Sequence, residues 1–322
     1  MIIDVHSHLI PEELIGRHEF GISVEKRNIG NFSVQAWGVT VDAVQENLFD
    51  PEMQVKEMET EGITRKVASL PPFLFAYGKD PGWASEWGRA ANNALAAVCA
   101  RYPDRLLALG IVPLQDPASA VEELKRCIEK LGFPGIELGT HVNGRELDEE
   151  EFAGFFEEVN RLNACLLIHP GNVLFGGRLS PYYLRNLVGN PLETTICTSR
   201  LLMGGFFTRH PRIRMCLSHG GGALPFLLGR MRHGKIVRPE AKFPEGNLEI
   251  PAGLYFDSIT HDASALRFII SQCGVGTVVM GSDYPFDMAT SDPVSFLRQA
   301  VLPENQIAIW EENPKRFLGL LT

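Results

Sequence analysis

The chain opens with the stretch Ile2-Ile-Asp-Val-His-Ser-His8, in which an apolar run leads directly into two histidines. The run Ile2–Val5 has the length and composition of a buried strand. Side chains two residues apart on a strand project from the same face, with their Cα atoms ~6.5–7 Å apart. The imidazoles of His6 and His8 can therefore converge on one metal ion, although such a pair is a weak signal when it stands alone.

Seven further short apolar runs follow along the chain and alternate with helical patterns. Within Ala118–Leu131, for example, apolar residues recur on one side of a helix. Eight alternating strand and helix units predict a parallel sheet and favour its closure into a (β/α)₈ TIM barrel over a doubly wound open sheet. The predicted strands are Ile2–Val5, Lys66–Leu70, Leu106–Val112, Gly135–Leu138, Ala164–Ile168, Ile213–Leu217, Gly253–Phe256 and Thr277–Met280.

One interval breaks this alternation. Residues Ile10–Phe49 separate the first strand from the helical pattern around Pro51–Glu61, a gap far longer than the usual ~2–6 residues of such a loop. The segment Phe32–Val41 within it has the composition of short strands. We therefore predict a single α/β domain over residues 1–322, a distorted barrel with a small β-containing cap inserted at residues 10–50.

Composition limits the class of partner. The chain of 322 residues is 45% hydrophobic and carries a net charge of −9, which argues against nucleic acid and against an anionic membrane surface as partners. No segment approaches the ~20 apolar residues that span a bilayer. The six cysteines form no C-x-x-C pair and fit reduced thiols. We expect a cytoplasmic protein.

Further candidate metal ligands stand directly after predicted strands, namely His169, His219 and Asp283. The carboxyl ends of barrel strands meet at one rim, where such folds build their active sites. We predict one ion held by His6, His8, His169 and Asp283. Nitrogen and oxygen ligands suit zinc, with manganese, iron or cobalt as alternatives. Four protein ligands leave an open position, which is typical of a catalytic ion.

A histidine near a strand end can equally be a hydrogen-bonded structural residue. That is our interpretation of His18, His210 and His233. For His141, which follows the predicted strand Gly135–Leu138, two interpretations remain: it lies behind the metal ligands, or it forms part of the pocket wall.

Four motifs carry a resemblance to a known family. They resemble the metal-dependent decarboxylases of the amidohydrolase superfamily, above all those that act on an aminocarboxymuconate semialdehyde, and the similarity runs nearly end to end. The motifs are Asp4-x-His6-x-His8, His169-Pro170, His219-Gly-Gly-Gly222 and Gly281-Ser-Asp283-Tyr-Pro-Phe286.

The resemblance implies roles for these residues. It implies a single zinc on the four predicted ligands, with His219 as the general base that activates the metal-bound water and Asp283 as a catalytic ligand. An unligated histidine suits proton transfer near neutral pH. Arg230 matches a family arginine that reaches the neighbouring subunit's active site and holds a substrate carboxylate, so the resemblance also implies a homodimer.

The substrate wall departs from the family pattern. Asp42 stands where the family has a second carboxylate-binding arginine, and Gly171-Asn172 replaces a Trp-Asp pair. A different substrate from the muconate semialdehyde follows from these changes. Arg178, Arg200 and Arg232 are lesser candidates for contact with an anion. The predicted substrate contacts are Arg230, Phe286, Phe49, Gly171, Asn172 and His141.

These observations favour a non-oxidative decarboxylase of a small unsaturated or aromatic carboxylic acid. A metal-dependent hydrolase or hydratase of the same superfamily, acting on a C–C, ester or amide bond, is the alternative, because the same ion and base serve either reaction. A metal-binding protein without catalysis is disfavoured by the open position beside a base.

Overall fold

The computed structural model describes residues 1–28, 30–174, 176–241 and 248–321. Its central feature is an eight-stranded parallel sheet whose strands follow one another in chain order, β1-β5-β6-β7-β10-β11-β12-β13. In the described residues the strands are β1 (Ile3–His8), β2 (Ile22–Asn28), β3 (Asn31–Ala36), β4 (Val39–Gln45), β5 (Arg65–Ser69), β6 (Leu106–Gly110), β7 (Gly135–Leu138), β8 (His141–Val142), β9 (Arg145–Glu146), β10 (Cys165–Ile168), β11 (Arg214–Leu217), β12 (Leu254–Asp257) and β13 (Val278–Val279).

The two edges of this sheet meet. The Val5 amide donates to the Met280 carbonyl at 2.9 Å, and the His8 amide donates to the Tyr284 carbonyl at 2.7 Å. β1 therefore pairs with the segment that continues from β13, and a bridge between Ser7 and Tyr284 extends the pairing. The predicted barrel is confirmed, and the open doubly wound sheet is excluded.

The predicted insertion after the first strand is a small antiparallel sheet. β2 pairs with β3 and β3 pairs with β4. Its buried side chains, among them Ile22, Val34 and Val44, join the main hydrophobic core. The insertion is thus packed onto the barrel, and residues Thr40 and Asp42 of β4 reach the barrel mouth.

Helices cover the outside of the barrel, and several of them begin at an Asp-Pro step. The carboxylate of Asp50 accepts the amides of Glu52 and Met53, which satisfies free donors at the first turn of a helix. The described helices are α1 (Pro51–Glu61), α2 (Pro81–Arg101), α3 (Pro117–Glu129), α4 (Ala153–Leu162), α5 (Asn190–Met203), α6 (Phe206–Arg209), α7 (Leu224–Val237), α8 (Ala263–Cys273), α9 (Pro293–Ala300), α10 (Pro303–Ile307) and α11 (Asn313–Leu318).

An irregularity in β1 decides which side chains face the barrel interior. Ile3 and Val5 belong to the buried cluster that alternate residues of the other strands form inside the barrel. The register of β1 against β5 shifts between Asp4 and Ser7. Such a shift changes the alternation of faces. It allows His6 and His8 to face inward as well, so the histidine pair lies inside β1, whereas the sequence pattern placed the pair after the strand.

A glycine divides the helical stretch that precedes β11. Helices α5 and α6 are separate because Gly205 adopts a φ of 74° between them. All six cysteines are free, and Cys165 and Cys216 are fully buried in the barrel interior. Among the described residues, no helix combines the length and apolar character needed to cross a membrane.

Trp87 of α2 supports a stability prediction. Its side chain is fully buried, its indole donates to the Leu74 carbonyl at 2.9 Å, and its ring contacts Phe20 and Trp37 of the insertion. We expect Trp87→Ala to lower the free energy of unfolding by about 3–5 kcal/mol, through a cavity and a lost hydrogen bond. Urea titration measures the change. Leu302→Ala, at a side chain that is 63% exposed, serves as the control and should stay within about 0.5 kcal/mol.

Candidate metal centre

Three imidazoles and one carboxylate meet at the carboxyl rim of the barrel. His6 and His8 lie at the end of β1, His169 follows β10, and Asp283 lies four residues beyond β13. One ligand atom from each of the four side chains lies within 4.8 Å of every other, and all four residues are buried. The segments that hold them are far apart in sequence, and barrel closure brings them together.

The spacing of these atoms fits a first-row metal ion. The Nε2 atoms of His8, His6 and His169 lie 3.1, 3.5 and 3.9 Å from Oδ1 of Asp283. Zinc bonds of about 2.0–2.1 Å in a tetrahedral arrangement separate neighbouring ligand atoms by about 3.3 Å. The four side chains could hold a divalent metal ion with small adjustments of their torsion angles.

The second ring nitrogen of each of the three imidazoles, Nδ1, has a partner of its own. Nδ1 of His6 donates to Asp257 at 2.8 Å, Nδ1 of His8 lies 3.3 Å from Ser69 Oγ, and Nδ1 of His169 donates to the Pro170 carbonyl at 3.1 Å. A proton on each Nδ1 leaves the lone pair of each Nε2 free for a metal. These contacts also fix the ring orientations, as partners behind metal ligands commonly do.

Two buried nitrogen atoms give an independent indication of a bound cation. Nε2 of His6 and Nε2 of His169 are buried without a hydrogen-bond partner among the described residues. A buried polar atom without a partner is costly, so a native site normally satisfies it. A metal ion between them would do so.

The ionisation states suit the same role. Burial lowers the pKa of His169 well below its ordinary value and also lowers that of His8, so both rings are neutral. Burial alone would raise the pKa of Asp283, but its contacts with His219 and His8 hold that pKa well below the ordinary value. Burial likewise disfavours the charged form of His6, yet its contacts with Asp257 and Asp283 raise its pKa to about 9. The site thus attracts positive charge.

The backbone around Asp283 is fixed by the first strand. Its amide donates to the His6 carbonyl at 2.9 Å, and the preceding Ser282 donates through its hydroxyl and its amide to the buried carboxylate of Asp4. Asp283 itself has a φ of 63°, which a non-glycine residue rarely adopts. The motif residues Asp4 and Ser282 therefore hold the ligand loop in a strained conformation.

His219 stands beside the four ligands. Its Nε2 lies 3.4 Å from Oδ2 of Asp283, and its ring centroid lies 4.9 Å from that of His169. The backbone from His219 to Gly222 has four consecutive positive φ values. Glycine tolerates that conformation, and a Cβ at Gly222 would lie only 2.1 Å from the Pro191 carbonyl oxygen. The run of glycines therefore allows the turn that presents His219.

Asp257 is a site residue that the sequence analysis missed. Besides His6, its carboxylate accepts the amides of His219 at 3.0 Å and Gly220 at 2.7 Å. It thereby connects a predicted ligand to the backbone of the predicted base. Asp257 is the last residue of β12, so the same strand-end argument that singled out the other candidates could have found it.

Glu137 of β7 is a second buried carboxyl that the analysis passed over. Burial raises its pKa to about 8, so it is neutral at physiological pH. It adds no further negative charge beneath the ligands. The negative charge in contact with the predicted imidazole ligands therefore comes from Asp283 and Asp257.

An open cleft of about 710 Å³ leads to the ligands. We call it the metal cleft. Its lining includes the two site residues His169 and His219 and also Asp42. The other lining residues are Thr40, Val41, Pro72, Phe73, Pro170, Gly171, Ser180, Tyr183, Arg185, Asn186, Asn190, Asp283, Phe286, Asp287 and Met288.

The predicted substrate contacts divide into groups. Phe286 and Gly171 line the metal cleft, and the Phe286 ring lies 5.3 Å from that of His8. Asn172 and His141 line an adjoining cleft, where Nε2 of His141 donates to the Asn172 carbonyl. Phe49 instead packs against Phe32 and lines a separate cleft, so the structure does not bring it to the metal ligands.

The predicted arginines lie elsewhere on the surface. Arg230 is exposed on α7 and is not part of the metal-cleft lining. Arg178 is exposed, and Arg200 pairs with Asp148 at 2.7 Å. Arg232 donates to the Leu248 carbonyl.

Gly171 lies in close contact with the Pro72 turn. A Cβ on Gly171 would lie 3.0 Å from the Pro72 carbonyl oxygen and 3.2 Å from the Phe75 ring. The loop after His169 therefore approaches the Pro72 turn through its backbone. The aromatic wall at this place comes from the segment after β5.

Comparison with known proteins agrees with this geometry. A sequence profile of the amidohydrolase family matches residues 3–320. The chain belongs to that family. It is 33% identical to the 2-amino-3-carboxymuconate-6-semialdehyde decarboxylase of Dictyostelium discoideum over 90% of this chain and 83% of that protein.

Two further relatives agree. The gamma-resorcylate decarboxylase of Rhizobium radiobacter is 28% identical over 86% of this chain and 90% of its own length. The crystal structure of 2,6-dihydroxybenzoate decarboxylase from Rhizobium superposes with a TM-score of 0.84 and 25% identity, covering 99% of this chain and 98% of that one. The family predicted from the motifs is confirmed.

Asp257 generates a prediction about metal affinity. We expect Asp257→Asn to weaken metal binding by about 10- to 100-fold, because the amide no longer holds the His6 ring as a carboxylate does. Competition with a chelator measures the affinity. His18→Ala, at an exposed histidine, should leave it unchanged. Unaltered affinity in the Asp257 variant would contradict the assigned role.

Proposed function

We propose that this chain is a metal-dependent decarboxylase that acts on a small unsaturated or aromatic carboxylic acid without an oxidant. The observation that carries the proposal is the buried group of His6, His8, His169 and Asp283, with His219 beside it, at the wall of an open cleft. The names of the relatives, which are decarboxylases of acids of this class, support it.

Zinc is the ion that we propose for the site. The donor set contains three imidazole nitrogens and one carboxylate oxygen, a combination that zinc accepts readily. Manganese, iron and cobalt are the alternatives that the same donors allow. When bound, such an ion would polarise an oxygen atom of the substrate or lower the pKa of a water molecule.

His219 is the proposed proton carrier. In decarboxylation the bond between the carboxyl carbon and its neighbour breaks, the electron pair stays on the neighbour, and a proton must reach it. His219 is positioned for this because it is only partly exposed and contacts Oδ2 of Asp283 at 3.4 Å. As general base it accepts a proton from a water molecule in the cleft and passes that proton to the carbon, and the hydroxide left behind combines with the released CO₂ as bicarbonate.

A homodimer is the proposed assembly. Helix α7 carries Arg230 together with exposed apolar side chains, Phe226 at 77% and Ile236 at 81% exposure. Phe226 also lies near the exposed ring of Phe268 on α8. Exposed apolar patches of this kind commonly mark protein interfaces. In this arrangement Arg230 enters the partner's metal cleft and binds a substrate carboxylate there.

A cytoplasmic location is also part of the proposal. The free state of all six cysteines supports it, because reduced thiols persist in the cytosol.

The role of His219 is tested by His219→Ala. We expect turnover to fall by about 10²–10⁴-fold while metal content stays unchanged, because the proton carrier is lost and the ligands remain. Release of CO₂ from a panel of hydroxybenzoates and muconates is the assay, with His18→Ala as the matched control. Acid production from esters or lactones without CO₂ release would establish the hydrolase instead. Full turnover in the variant would remove the assigned base.

The role of Arg230 across subunits is tested by mixing two inactive variants. His219→Ala and Arg230→Ala should each be inactive as homodimers. In a mixed dimer, the subunit that keeps His219 receives Arg230 from its partner, so one intact site forms. We expect activity to appear on unfolding and refolding the two variants together. No recovered activity, with dimers demonstrated by sedimentation, would refute the shared site.

A further inference from the structure

A second cleft adjoins the metal cleft. Its volume is about 660 Å³, and we call it the outer cleft. The two clefts share a wall formed by Pro72, Phe73, Gly171 and Arg185. A ligand at the metal centre can therefore extend past this wall toward the outer cleft.

Arg185 is the one arginine or lysine among the described residues that line the metal cleft. It follows an irregular segment in which Tyr182 and Tyr183 both have a φ of 60°, and its side chain is exposed. Its Nη2 donates to Oδ1 of Asn172 at 2.9 Å. Neither Asp42 nor Asp287 of the same cleft forms an ion pair with it within the described part of the chain. The guanidinium thus keeps donors for an incoming anion.

Arg185 and the predicted ligands His169 and Asp283 line the same cleft. Asn172, which the guanidinium contacts, is three residues beyond His169. A small planar acid in this cleft can therefore contact the ligands at one end and the guanidinium at the other.

The outer cleft has the charge that a second anionic group requires. The described residues that line it include Lys79 and Arg185 and no aspartate or glutamate. The ammonium of Lys79 lies 5.6 Å from the Trp37 ring and has no carboxylate partner in the part of the chain that the structure describes. Phe73 and Tyr77 add aromatic surface on the same cleft. The surroundings of Arg185 thus favour an aromatic anion.

We propose that Arg185 binds a second acidic group of the substrate, the one that is not released, so that the substrate is a small planar dicarboxylic acid. This inference rests on the proposed decarboxylase function, which places the reacting carboxylate at the metal ligands. Arg185 supplies the positive charge that an anionic group requires in this cleft, which Asp42 and Asp287 cannot provide. A guanidinium suits this role because it can donate two parallel hydrogen bonds to a carboxylate.

The test compares two acids that differ by one carboxylate. Isophthalate and benzoate are titrated by calorimetry into the metal-loaded protein, its Arg185→Ala variant and its Arg178→Ala variant. Arg178 is a matched control because it is exposed on the same surface segment and lines neither cleft. We expect isophthalate to bind the parent protein about tenfold or more tightly than benzoate, through one additional charge-assisted contact.

In Arg185→Ala we expect that preference to disappear while benzoate affinity stays within twofold, and in Arg178→Ala we expect no change. Equal affinity of the parent protein for the two acids, no measurable binding of isophthalate, or an equal loss for both acids in Arg185→Ala overturns the inference. The CO₂ assay with the parent protein is run separately. It tests the decarboxylase function itself, so the two failures remain distinguishable.

Discussion

The convergence of three imidazole nitrogens on one carboxylate oxygen is the constraint on which the rest of this structure depends. Oδ1 of Asp283 lies 3.1–3.9 Å from the three Nε2 atoms, and two of those nitrogens have no other partner among the described residues. The arrangement requires the first strand and the segment after the last strand to be neighbours. Closure of the barrel makes these two segments neighbours, so the four side chains can meet only if the barrel closes.

Asp257 couples the two halves of the site. It holds the ring of His6 through a side-chain contact and the position of His219 through two backbone amides. A buried carboxylate that accepts several N–H groups is well compensated for its loss of water. The same residue therefore orients a proposed metal ligand and the turn that presents the proposed base.

The sequence predicted the fold and the grouping of the four proposed ligands because both depend on local pattern. Apolar runs give strands, and the carboxyl ends of parallel strands share a rim, so His169 and Asp283 could be placed there without coordinates. Asp257 escaped attention because its importance depends on the direction of a ring nitrogen on another strand. Arg185 was not predicted because it follows an irregular segment in which two tyrosines have positive φ values, and no periodicity of the sequence indicates such a segment. The shift in β1 was equally hidden, since it arises from pairing with β5.

The close approach of Gly171 to Pro72 has a consequence for how this active site can diverge. Part of the wall that the two clefts share is main chain. A side chain at position 171 would therefore change the thickness of this wall only if the Pro72 turn moved. A change of substrate specificity would therefore come from substitutions of the side chains that line the two clefts on either side of this backbone contact. The backbone contact itself would then limit the length of the ligand that the two clefts can hold.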